Sequence, residues 1–443
     1  MPTKDLHHVD TGWAWLILVS SCITIFLHEA TWKALAVLLP TFKEQFETHT
    51  WVIGTMVTLF VSFRELTGPI VGILATKINN RLLGIVGGTL IGLSTISASF
   101  ATSVYELLGL LSLINGISFG LLWIPSLALL AVYFDKYYSL AVGIAYAHSS
   151  FGMMVIAPVT QFLLDTYGWR GVLLLLGGIN FHLLISGILL RQPNYESTAN
   201  TKNDNLQNAY SALCQNEDDE NDTFGWQSHP SKSSRFEYIL VFIKLLGLDL
   251  FANPSFLVCS VITSCSACVF AGWIVYFIPH CLVKGLSPYE ASFAATAAGF
   301  SNLIGHIIYA PFLSRNIITV RSGLYITGTV STIALLVDRY TSTLTTIIIS
   351  NMFITAATGA LSSLCEVYLK SVVEPNSLAK AMGWRMGLSG VLRIIPGFTV
   401  GWLYDQTGSY DTGFTFLGAI QAVGILAVAV DHLRLNMSNR KTE

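Results

Sequence analysis

Ser139-Leu140-Ala141, followed by Gly152 and Pro158, is repeated far down the chain as Ser377-Leu378-Ala379, Gly390 and Pro396, each pair separated by one constant offset. A stretch that returns with its glycine and proline in register marks a duplicated unit. Working outward from these two segments, the chain divides into about twelve apolar stretches, six on each side of a single long polar insert. Apolar runs of about 20 residues match a hydrocarbon layer roughly 30 Å thick, because a helix rises about 1.5 Å per residue and satisfies its backbone internally.

The composition agrees. Hydrophobic residues make up 53% and charged residues only 11%, and the mean hydropathy is +0.60, whereas a soluble domain carries about 25% charge. The expected class is therefore an all-α membrane protein: twelve transmembrane helices in two pseudo-symmetric six-helix bundles. The expected spans are Trp13–Leu39, Trp51–Ala75, Leu82–Phe100, Val104–Val132, Leu140–Leu164 and Gly171–Leu190, then Ser255–Leu282, Tyr289–Leu313, Thr319–Val337, Leu344–Leu369, Leu378–Tyr404 and Thr412–Val430. This gives a terminal segment 1–12, a first bundle 13–190, a linker 191–250, a second bundle 251–433 and a tail 434–443.

Basic residues set the sidedness, since cytoplasmic loops accumulate Lys and Arg. About 16 of the 24 basic residues fall on the side of both termini, and about four (Lys43, Arg170, Lys284 and Arg339) on the other. Both termini are expected in the cytoplasm. The first apolar run is too long for a signal-peptide core and is expected to remain as a span. A net charge of −2 gives no basis for a nucleic-acid partner.

From Arg191 to Leu250 the sequence turns polar, with an acidic knot at Glu217, Asp218, Asp219, Glu220 and Asp222. Such a segment buries too little apolar area to offset its ordering entropy and reads as a largely disordered cytoplasmic linker, ending in a short surface helix near Phe236–Leu248. Cys22, Cys259, Cys265, Cys268, Cys281 and Cys365 fall in or beside apolar runs, where thiols pack as small hydrophobes. The Cys265/Cys268 spacing inside a span is therefore not read as a redox motif. No phosphate loop, HExxH zinc motif or GxSxG elbow occurs, so no cofactor, metal or enzymatic activity is expected.

Local motifs narrow the class. Asp10-Thr11-Gly12-Trp13-Ala14-Trp15 resembles the DGGWGW signature of the monocarboxylate transporter family of the major facilitator superfamily, with Thr11 and Ala14 in place of two glycines. Tyr133-Phe134-Asp135-Lys136, then Ser139-Leu140-Ala141 and Gly143, is similar to that family's second signature entering the fifth span, although Tyr137 and Tyr138 stand where Arg is frequent. Gly168-Trp169-Arg170-Gly171 fits as well. The resemblance implies the major facilitator fold, rocking of two halves about a midplane site, a small carboxylate-bearing organic solute as cargo, proton coupling and a single-span ancillary glycoprotein; the plasma membrane is the expected location because the sequence shows no retention or transit motif.

Ionisable groups inside the spans cost on the order of 2.5–3.5 kcal/mol each by insertion scales, so those retained are the functional candidates. Lys33 follows Asp10 at the separation that the resemblance assigns to the family's substrate and proton lysine; Glu29, one turn earlier, is a candidate partner for it. At the eighth-span positions where proton-coupled relatives carry Asp and Arg, this chain has Asn302 and His306. That departure weakens the case for simple lactate-type symport and opens a second reading, facilitated transport of an amino acid, a creatine-like or a carnitine-like solute. Arg393, deep in the eleventh span, is a candidate anion clamp or a structural partner of Glu366. Arg64 and Glu65 diverge by about 100° on a helix, so one of them is expected to face the cavity. His148 is a candidate polar contact or a histidine bonded to Ser149; Arg385 lies near the cytoplasmic end. His28 and His280 are assigned no role. A receptor that keeps the fold without transporting is a third reading, disfavoured by the retained charges.

Overall fold

The computed structural model describes residues 12–134, 137–191, 248–309, 312–313, 315, 317–373 and 378–442. The expectations for the acidic knot, the short helix before Leu248, and Asp10, Thr11, Asp135, Lys136 and Ser377 lie outside the described residues.

The spans are helices because their sequences are apolar and their ends carry strong stop and start signals. Asn253 caps the seventh span, Pro254–Val283, by accepting from the Ser255 and Phe256 amides, with Pro254 in the first turn where its missing N–H costs nothing. Ser287 and Glu290 form a reciprocal capping box at the start of the eighth span, Pro288–Ile308. Thr343 and Thr346 do the same for the tenth, Leu344–Val372.

Among the described residues, ten stretches are long and apolar enough to cross a membrane. One of them, Gly143–Leu189, holds two spans, because Gly168 turns the chain at φ +68°, a conformation that favours glycine, within Tyr138–Asn180. The second span, which is not in this set, is Thr50–Leu66 followed by Gly68–Lys77. The joint precedes Pro69, which cannot donate to the helix ladder. With these two adjustments the helices match the twelve spans of the sequence reading. The remaining ones are Gly12–Val37, Asn80–Ala98, the fourth span from Val104 to Tyr133 with a π-helical segment at Leu108–Ile114, Val320–Val337, the eleventh span, and Asp411–Thr442.

Three boundaries differ from the sequence reading. The eleventh span, expected over Leu378–Tyr404, is Leu378–Leu392 followed by Ile394–Thr407, joined ahead of Pro396 through Arg393, whose φ of −65° and ψ of −18° stay in the helical region. The eighth helix proper ends at Ile308, and Phe312 and Leu313 are again helical. The twelfth continues to Thr442 through the segment expected as a tail.

Close approaches of glycine faces show how the rods pair. Within the first half, spans three and six run antiparallel: a Cβ on Gly84 would lie 2.7 Å from Gly187 Cα, and one on Gly92 would lie 2.8 Å from the Phe181 ring. Small residues let helix backbones approach in this way. Two further antiparallel seams join the halves. Gly54 faces Gly397 and Gly390 faces Glu65 and Ser62 between spans two and eleven, while Gly299 faces Met154 between spans eight and five.

The repeat glycines themselves do different work. Gly152 admits the first-span backbone at Phe26 and Ala30, whereas its counterpart Gly390 admits the second.

Burial is uneven along the two central spans. Along the first, Trp13, Trp15, Leu16 and Val19 are exposed, while the residues from Thr24 to Leu39 are buried apart from the half-buried Phe26. Along the seventh, Leu257 and Val261 are exposed, and Ile262 to Cys281 are buried apart from Phe270. With the end where the first helix begins termed the near end, and the opposite one the far end, the halves enclose one another toward the far end.

Candidate functional site

Five ionisable side chains from three spans meet in the interior. In the first span, His28 Nδ1 lies 3.2 Å from Glu29 Oε1. From the second, Arg64 reaches His28 Nδ1 at 3.3 Å and donates to Glu65 Oε1 at 2.9 Å. From the joint in the eleventh, Arg393 Nε lies 3.1 Å from Glu65 Oε2, an ion-pair contact rather than an aligned hydrogen bond. Aromatic faces complete the enclosure: the Arg64 guanidinium is 4.3 Å from the centre of the Trp123 ring and that of Arg393 is 5.6 Å from Trp32. His28 stacks on Phe60 at 5.1 Å.

This network is incompletely satisfied. Among the described residues, Glu29 Oε2, His28 Nε2, Arg64 Nε, Trp32 Nε1 and Trp123 Nε1 are buried without a hydrogen-bond partner. An unsatisfied buried polar group costs about 1–3 kcal/mol, more when charged, so such a cluster is suited to take a polar guest or water.

Lys33 stands apart from it. Its side chain is fully buried, its Nζ lies 3.3 Å from the Ile274 carbonyl oxygen of the seventh span, and it sits over the Trp273 ring at 5.0 Å. It pairs with no carboxylate of the described residues, and the expected Glu29 partner is turned to His28 instead. Trp273 is itself fixed by donating to Asn351 at 2.7 Å.

The structure corrects several expected pairings. The sequence offers Glu366 as the structural partner of Arg393, and that pair does not form: Glu366 pairs with Arg385, and Arg393 with Glu65. Arg64 and Glu65, expected to diverge, bond to each other, because side chains of this length bend across the helix surface. Both are buried. His148 does not bond to Ser149; its Nδ1 lies 2.8 Å from the Ile144 carbonyl oxygen, while Ser149 donates to the Tyr146 carbonyl. His148 lines a recess of about 370 Å³ with Trp15, Cys22 and Phe26.

Asn302 and His306 are held in hydrogen bonds. Asn302 accepts from Ser150 of the fifth span at 3.0 Å and donates to the Thr355 carbonyl at 3.0 Å, so it ties the halves together. His306 Nδ1 lies 2.7 Å from Ser363 Oγ.

Sequence reasoning passes over His28 and His280. His280 Nε2 is 2.7 Å from Asp338 Oδ2, and Lys284 donates to the Asp338 carbonyl at 2.7 Å and lies 3.8 Å from Asp411 Oδ1. His280, Asp338 and Asp411 are spaced closely enough to hold a metal ion, but the Lys284 ammonium already supplies the positive charge there. The adjacency of His28 to Glu29 is the one available signal for the first cluster. The six described cysteines are buried and free, as expected of small apolar residues.

Apolar helices in two pseudo-symmetric halves, with charged side chains meeting between them, define a polytopic membrane transporter. The Major Facilitator Superfamily model matches residues 21–340, and the chain belongs to that superfamily, whose members move solutes across membranes and are not enzymes. It is 25% identical over 424 residues to monocarboxylate transporter 12 of Xenopus laevis, covering 94% of this chain and 88% of that one. It is 26% identical over 459 residues to monocarboxylate transporter 2 of Homo sapiens, covering 100% and 91%. Among solved structures, a bacterial homologue of the human lysosomal transporter Spinster, in an inward-facing and unoccupied conformation, superposes with a TM-score of 0.64 at 15% identity, covering 95% of this chain and 96% of the other. That likeness concerns the fold alone.

Proposed function

We propose that the protein carries a small carboxylate-bearing organic solute, monocarboxylate-like, across the plasma membrane by alternating access, with both termini in the cytoplasm and the near end facing it. The observation that carries this reading is the fully buried Lys33 ammonium without a carboxylate partner among the described residues. Of the seven mid-span charges singled out in the sequence, four are cations, Lys33, Arg64, Arg385 and Arg393, and three are carboxylates, Glu29, Glu65 and Glu366. A cargo with one negative charge balances them, and the desolvation of the lone cation is then offset by the pair it forms. The relatives named as monocarboxylate transporters support the same class.

In this reading Lys33 attracts the carboxylate and Arg393 is its second contact, released when the cargo competes with Glu65. Proton coupling runs through the Lys33 amine, which can hold a proton or release it. A single-span glycoprotein partner belongs to the same proposal.

Purified protein in liposomes tests the reading. Labelled lactate or pyruvate enters faster under an inward proton gradient, and Lys33→Gln lowers the rate at least tenfold. Uptake unchanged in Lys33→Gln overturns the role of Lys33, and indifference to the gradient removes proton coupling. A second reading, facilitated transport of a zwitterion, is favoured by Asn302 and His306, both of which are engaged in hydrogen bonds to uncharged groups. Uptake of labelled creatine or an amino acid, with no monoanion transported, selects it.

A further inference from the structure

The offset that carries Ser139 onto Ser377 also carries Trp51, in the first turn of the second span, onto Tyr289, in the first turn of the eighth. At each of these helix starts an aspartate arrives from the opposite half. Asp405, at the far end of the eleventh span, accepts from the Thr50 and Trp51 amides, both at 3.3 Å. Asp165, at the far end of the fifth, accepts from the Tyr289 hydroxyl at 2.7 Å.

The two contacts differ for a local reason. His49 precedes the second span and makes no side-chain cap, so its first amides are left open and Asp405 supplies the missing acceptor. The eighth span is already capped by Ser287, and Pro288 has no amide hydrogen, so Asp165 engages the side chain instead. Lys43 stands 4.0 Å from Asp405 and over the Tyr404 ring at 4.9 Å. Around Asp405 the packing is tight: a Cβ on Gly401 would lie 2.6 Å from Trp51 Cα.

We infer that Asp405 and Asp165, which stand two residues out of register under that offset but at equivalent helix ends, are paired latches that hold the far end of the two halves shut and must release before that end can open. The inference stands on these contacts and is independent of the cargo.

Spin labels on cysteines introduced at the exposed positions Glu44 and Gln406 report the far end, and labels at Arg81 and Ser322 report the near end, each pair bridging the halves. With Asp405→Ala, a longer far-end distance grows about fivefold in population, the factor expected for losing a helix cap, and the near-end distance shortens in the same fraction. Tyr289→Phe gives a smaller change in the same direction. Unaltered distance distributions in both variants overturn the inference, as does far-end widening without near-end shortening, which reports local fraying. Should Asp405→Ala fail to fold, Tyr289→Phe decides alone, since it removes only the hydroxyl that Asp165 accepts from.

Discussion

Arg393 meets Glu65 at 3.1 Å across the boundary between the two halves. The arginine sits at the joint in the eleventh span, and the glutamate also holds Arg64. One carboxylate thus restrains two buried guanidinium groups from different halves. Breaking a buried pair by removing one partner costs about 3–5 kcal/mol, because an uncompensated charge remains. Glu65→Gln is expected to abolish uptake and to lower the melting temperature in detergent by several degrees. A melting temperature equal to that of the wild type would show that the arginines do not depend on Glu65.

Glycines at the seams separate assembly from motion. Gly187 packs on Gly84 within one half, where an added Cβ would lie 2.3 Å from backbone. Gly397 packs between halves, 2.0 Å from Thr58 Oγ1 and 2.8 Å from the Gly54 carbonyl by the same measure. Gly187→Val is therefore expected to lower the yield of folded protein, while Gly397→Ala leaves folding intact and opens the far end. Cysteine-accessibility measurements on folded material distinguish these outcomes.

Asn302 donates to the Thr355 carbonyl, a bond that a carboxylate cannot make. Asn302→Asp sets like partial charges against each other and is expected to cost about 1–3 kcal/mol, read as a lower melting temperature. Adding His306→Arg supplies a cation one helical turn away and is expected to recover part of the loss. No recovery in the double variant would mean that the two positions do not communicate.

The spans are legible in the sequence because a run of apolar residues long enough to cross a bilayer has few other uses. The joints at Thr67 and Arg393 are not, although Pro69 and Pro396 mark their neighbourhoods, since a proline in a membrane helix bends it in one context and interrupts it in another. The interior charges stand out by residue type, but their partners do not. Arg393 reaches Glu65 rather than Glu366, and Lys33 passes Glu29 to reach the Ile274 carbonyl. Such choices depend on how spans two, seven and eleven lie against each other, which no local spacing encodes.

Lys284 lies against a group formed by His280, Asp338 and Asp411, 3.5 Å from Asp338 Oδ2 and 3.8 Å from Asp411 Oδ1. Its ammonium is the counter-ion for Asp338, a carboxylate that is 2% exposed. Lys284→Met keeps the apolar stem and removes the charge, leaving His280 and two carboxylates in ligand-like spacing. The variant is expected to melt at a lower temperature than the wild type, because a buried carboxylate loses its cation. It should also acquire a stabilising response to Zn²⁺ that the wild type lacks, since imidazole and carboxylate oxygens are zinc ligands. A thermal-shift titration with Zn²⁺ on both proteins checks this, and a variant that neither loses stability nor responds to the metal would show that Lys284 is not the charge that holds this cluster together.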